Sequence, residues 1–168
     1  MAFFDRLFGK EKTAKPEPIV ITNELGSFTS DGGGRVFEGE VDWCGNRVTV
    51  FLQPDENNDS EINQSFEILR RLLSNAVEWD NRLREYSAND FLDDDGLIHI
   101  WGSPEQLHED VEPVTKEEFI SRISLGFMDI SPNGDIYFDY SLDDMFTDHG
   151  EGIFANISGE IFSAGLQG

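Results

Sequence analysis

From Ile19 to Gln53 apolar and polar positions alternate. Phe37, Val41 and Trp43 take one parity while Glu38, Glu40 and Asp42 take the other, the signature of a strand with one buried and one wet face. Val48, Val50 and Leu52 repeat the pattern, and Gly45-Asn46 between the two runs supplies residues tolerant of positive φ, as a tight hairpin requires. Gly32-Gly33-Gly34 marks a loop ahead of them.

After Asp59 the period becomes helical. Ile62, Phe66, Leu69, Leu73, Ala76 and Leu83 form one stripe, with Glu67, Arg70, Arg71, Glu78 and Arg84 off it, which predicts a long central helix. A break is expected near Ser87, where Ser87 and Asp90 have capping-box spacing and Phe91-Leu92 would open a short second helix closed by Gly96. Two further boxes start at Ser103 and at Thr115, the second leading Phe119, Ile120 and Ile123 into a helix.

The chain then returns to strands over Leu125 to Ile130 and Ile136 to Tyr140 around a Pro132-Asn133-Gly134 turn, with a last run carrying Ile153, Ala155, Ile157 and Ile161. Strands flanking helices in blocks predict an α+β fold, a mostly antiparallel sheet with helices packed on one face. Most of the aromatics, Trp79 and Trp101 included, fall at these periods and are expected in the core.

At 168 residues and 38% hydrophobic content the chain suffices for one core. The single cysteine, Cys44, rules out an internal disulfide, and the start lacks the features of a secretory signal, so a cytoplasmic protein is expected. The formal net charge of −22 argues against nucleic acid and favours a basic protein partner met by steered association.

Residues 1–18 stand apart from the acidic domain expected over 19–168. Phe3, Phe4, Leu7 and Phe8 share one helical face, and Arg6, Lys10, Lys12 and Lys15 outnumber the acids, ahead of a linker closed by Pro16 and Pro18. That combination predicts a peripheral attachment device, lying on the inner face of a membrane, folding back on an apolar groove of the body, or pairing two protomers.

No cofactor fingerprint is present: there is no Walker loop, dinucleotide motif or GxSxG elbow, and Cys44 sits in a predicted turn. Asp93-Asp94-Asp95-Gly96 lacks the ligand spacing of a calcium loop. Asp143, Asp144, Asp148 and His149 are the densest binding candidates, although neither HxxxH nor HExxH is there to specify a metal. Two functions are therefore expected, in order: a non-enzymatic binding protein whose acidic surface meets a basic protein, and a carboxylate/His-based metal-dependent hydrolase.

Two motifs resemble a bacterial family of unknown function, the domain of unknown function twenty-two sixty-two. One is Phe37-Glu38-Gly39-Glu40-Val41-Asp42-Trp43-Cys44-Gly45; the other is Asp143-Asp144-Met145-Phe146-Thr147-Asp148-His149-Gly150, followed by Ile157-Ser158-Gly159-Glu160. Trp79-Asp80 and Glu117-Glu118-Phe119 are similar to the family's helical stretches. The resemblance implies a bacterial, intracellular protein and brings no activity. Size and charge alone also resemble those of small acidic, immunity-like proteins that neutralise toxins.

Overall fold

The computed structural model describes residues 17–30, 36–55, 58, 61–107 and 109–167. Eight strands form one sheet in sequence order: β1 (Ile19–Asn23), β2 (Gly26–Ser30), β3 (Phe37–Trp43), β4 (Asn46–Leu52), β5 (Ser124–Ile130), β6 (Asp135–Ser141), β7 (Gly150–Asn156) and β8 (Ile161–Gln167). Every neighbouring pair is antiparallel except β4 and β5, which run parallel with Val50 opposite Met128. A parallel pair needs a crossover, and the chain between Leu52 and Ser124 supplies it with α1 (Asn63–Ser74), α2 (Ala76–Phe91) and α3 (Lys116–Arg122).

The mostly antiparallel sheet agrees with the sequence; helices packed as a layer on one face do not. The sheet dominates, the three helices are short, and all of them belong to the one crossover. Helix α1 meets β5, α2 meets β7 and β8, and α3 rests on α2. The buried side is closed by helix and loop together: Phe66, Leu69 and Leu83 join Ile98, Val114 and Phe146 in one core with Phe28, Val50, Met128, Phe138 and Ile153 of the strands.

Local expectations fare unevenly. The central stripe is divided at Asn75, whose side chain donates to the Arg71 carbonyl at 3.2 Å and whose N–H bonds the Leu72 carbonyl. Ser74-Asn75 competes there for backbone groups without disturbing the apolar period, so the stripe runs through the break. Ser87 caps nothing: it lies inside α2, buried, and Phe91 ends that helix instead of opening a second one. Ser103 opens only a 3-10 turn, Pro104–Gln106, while Thr115 caps α3 as expected by accepting from the Glu118 N–H at 3.1 Å. The β3–β4 turn is Cys44-Gly45, not Gly45-Asn46, because Trp43 pairs with Asn46 and the positive φ angles fall at 54° and 88°.

Candidate binding surface

One face of the sheet is core; the other is open and aromatic. The register sets Glu38, Phe51, Asp129, Tyr137, Phe154 and Ser163 in one row across β3 to β8, and Glu40, Thr49, Phe127, Asp139, Gly152 and Gly165 in the next. Aromatic rings on this face touch in sequence: Phe51 meets Phe127 with centroids 5.6 Å apart, Phe127 meets Tyr137 at 5.7 Å, and Tyr137 meets Phe154 at 4.9 Å. These are the separations at which offset and edge-on aromatic pairs attract. Phe154 and Phe162 are 45% and 49% exposed, and with Phe127, Asp129 and Tyr137 they line a groove of about 490 Å³.

Two half-buried carboxylates are set among these rings. Asp129 accepts from Gln53 Nε2 at 3.0 Å, and Asp139 accepts from the Tyr137 hydroxyl at 3.2 Å. Burial holds both carboxyls above their usual pKa, with those hydrogen bonds pulling the other way. A cation arriving over the rings would restore the solvation that the carboxylates have lost and would meet the negative faces of the aromatics as well. Gly152 makes the arrangement possible, since a Cβ there would lie 2.6 Å from the Tyr137 ring.

The acidic stretch singled out from sequence does not converge. Asp143 accepts from Arg122 Nε at 2.7 Å, and it lines a polar cleft with Asp144, Glu118 and Arg122. Asp148 and His149 are turned elsewhere: His149 Nδ1 lies 2.8 Å from the Thr147 hydroxyl, and its ring stands edge-on to Trp101 at 5.9 Å. Positive φ at Asp143, Asp144 and Thr147 folds this segment back on itself, which separates the two pairs. Among the described residues no three His, Cys, Asp or Glu side chains are placed to share a metal ion. Phe3, Phe4, Leu7 and Phe8 lie outside the described residues, as does the Gly32-Gly33-Gly34 loop.

Trp101, expected in the core, is 48% exposed. The open-face aromatics escape the sequence reading for a similar reason, since aromatics at strand period are expected to face inward. Their parity shows otherwise: Phe51 is in phase with Arg47 and Thr49, and Tyr137 with Asp135 and Asp139.

The chain belongs to a bacterial family described as uncharacterised proteins conserved in bacteria, DUF2262, whose model matches residues 22–166. No curated protein and no solved structure matches it. No helix among the described residues is long and apolar enough to cross a membrane.

Proposed function

We propose that this protein is a binding module that takes a basic protein partner on the open face of its sheet. The observation that carries this is the contiguous strip of Phe51, Phe127, Tyr137 and Phe154 with Asp129 and Asp139 set into it. Aromatic anchors in a groove with adjacent carboxylates suit Lys or Arg side chains carried beside apolar ones, and the net charge of −22 accelerates the approach of such a chain. A hydrolase built on Asp143, Asp144, Asp148 and His149 gains no support, because those side chains part into two groups.

An array of synthetic peptides varied in Lys, Arg and aromatic content tests this. Binding should select peptides that carry both cations and aromatics, weaken with salt, and be lost in the full chain carrying Tyr137→Ser and Phe154→Ser. Equal binding of acidic peptides, or retention by that variant, removes the proposal.

A further inference from the structure

We infer that β8 is a dimer seam: a second copy of the chain adds its own β8 antiparallel to this edge strand, about a two-fold axis at Gly165, and continues the sheet. The inference goes beyond the proposed binding reading and does not rest on it. β8 ends the sheet, and among the described residues no strand lies beyond it. An edge strand turns the N–H and C=O of every second residue outward, and sheets that remain single blunt such edges with lysine, proline or an inward-pointing charge. β8 carries none of these in seven residues, whereas each of β3 to β7 carries at least one charged side chain. In a chain of net charge −22, a neutral edge is the one kind of edge that a second copy can approach without meeting its own acids.

The core is also unfinished on this side. Ala164 stands opposite Ile153 and Leu166 opposite Glu151, so both point to the buried face, yet both are only partly buried, as is Ile161. Beside them a groove of about 470 Å³ runs between the strand and α2, lined by Asn81, Arg82, Glu85, Tyr86, Asn89 and Ile161. Its charges are already answered within the chain, Arg82 by the Gly159 carbonyl and Glu85 by Lys116. An added strand would place its inward side chains on the groove's side of the sheet. The register selects this chain's own β8 for the part. Past the irregularity at Phe154/Ala155, Ser163 to Gln167 pair regularly, and Gly165 is their middle residue. A two-fold axis there sets Leu166 of each copy against Ala164 of the other on the buried face, large against small. On the open face it brings together two Gly165 residues, around which a Cβ would meet nothing within 4 Å. The other edge, β1, does not qualify: it is shorter, follows Pro18, and borders a groove where Glu24, Glu61 and Glu67 face the single cation Arg70.

The test uses the full chain. Sedimentation equilibrium should give the mass of two chains at micromolar concentration, and association should tighten as sodium chloride is raised, because screening removes the repulsion between two acidic bodies. A single-chain mass at every salt concentration, or an open-ended series of larger species, would overturn the inference. Ser163 and Gln167 are exposed and lie opposite one another across the seam, too far apart within one strand to interact. Ser163→Glu with Gln167→Glu sets like charges face to face and should raise the dimer dissociation constant about tenfold. Ser163→Glu with Gln167→Lys should restore it, which a folding defect would not do. A dimer indifferent to the first pair, or one that the second fails to rescue, places the contact elsewhere and defeats the proposal. In a Cys44→Ser background, Gly165→Cys provides a further readout. Opposed Cα atoms in an antiparallel pair are roughly 4.5–5.5 Å apart, within disulfide reach, so mild oxidation should cross-link two chains. Gln167→Cys, remote from its own copy, should cross-link far less; equal yields for the two variants would refute the two-fold at Gly165.

Discussion

Asp80 and Tyr140 are joined by a hydrogen bond of 2.9 Å between the middle of α2 and the buried face of β6. The same Asp80 oxygen accepts from Trp43 Nε1 at 3.0 Å, the other accepts from Arg84 Nε at 2.6 Å, and Arg84 also donates to the Ile120 and Ile123 carbonyls. One carboxylate thus ties β3, β6 and α2 together and reaches the end of α3 through Arg84. Removing it as Asp80→Ala leaves a guanidinium, a phenol and an indole N–H without their acceptor, and should cost about 3–5 kcal/mol. Tyr140→Phe, which removes one donor and strands no charge, should cost about 1 kcal/mol. Urea denaturation of both variants checks the ranking, and equal losses would contradict it.

Glu151 gives a pH dependence. Its side chain is buried, one oxygen accepts from the Ser87 hydroxyl, and the other has no partner among the described residues. Burial raises its pKa from the usual 4.5 to about 7, with Asp90 pushing the same way and Ser87 opposing. Because the folded value exceeds the unfolded one, this group's contribution to stability is complete below about pH 4.5 and is lost as the pH rises towards 7. The loss amounts to about 3 kcal/mol. Glu151→Gln should abolish that part of the pH profile in melting experiments and be more stable than wild type at pH 8. Parallel profiles for the two chains would show that the carboxyl titrates normally.

Gly152→Ala probes the aromatic strip, since the new methyl would meet the Tyr137 ring at 2.6 Å. Overpacking of this sort costs about 1–3 kcal/mol. The Tyr137 ring should leave its place between Phe127 and Phe154, altering the near-ultraviolet circular dichroism. An unchanged spectrum with unchanged stability would show that the ring is free to move aside.

Salt should stabilise the fold. Glu38, Glu40 and Asp42 share the open face of β3, and of these only Glu40 has an ion-pair partner among the described residues, Arg47 at 2.9 Å. In a chain of net charge −22, screening relieves more repulsion than attraction. A melting temperature that rises between 20 and 200 mM sodium chloride, roughly a 21 to 7 Å change in Debye length, is the expected result. A fall would mean that the surviving ion pairs dominate.

The strands were legible because the core face imposes its parity on Phe37, Val41, Trp43, Val48, Val50 and Leu52, and α3 was legible because Thr115 and Glu118 are local neighbours. The helix boundary at Asn75 was not, since a break that keeps the apolar stripe in phase leaves no trace in periodicity. Ser87 deceived in the opposite direction. Its spacing to Asp90 mimics a cap, while its partner Glu151 is sixty-four residues away and can be found only in three dimensions. The acids at 143–149 looked like a cluster because sequence counts separation along the chain; three residues of positive φ then send them apart. The open-face aromatics were readable in principle, from parity set against the polar neighbours of Phe51 and Tyr137.

The single parallel pairing has a consequence for how the protein assembles. Strands β1 to β4 and strands β5 to β8 are each a meander of neighbouring antiparallel pairs, whose contacts close short loops, whereas β4 and β5 meet only after the whole crossover has been spanned. Loop-closure entropy makes that seam the costliest strand contact to close. The molecule is thus two half-sheets welded along one line. Of the ring contacts on the open face, that between Phe51 and Phe127 crosses this line, so the strip is complete only once the weld has closed.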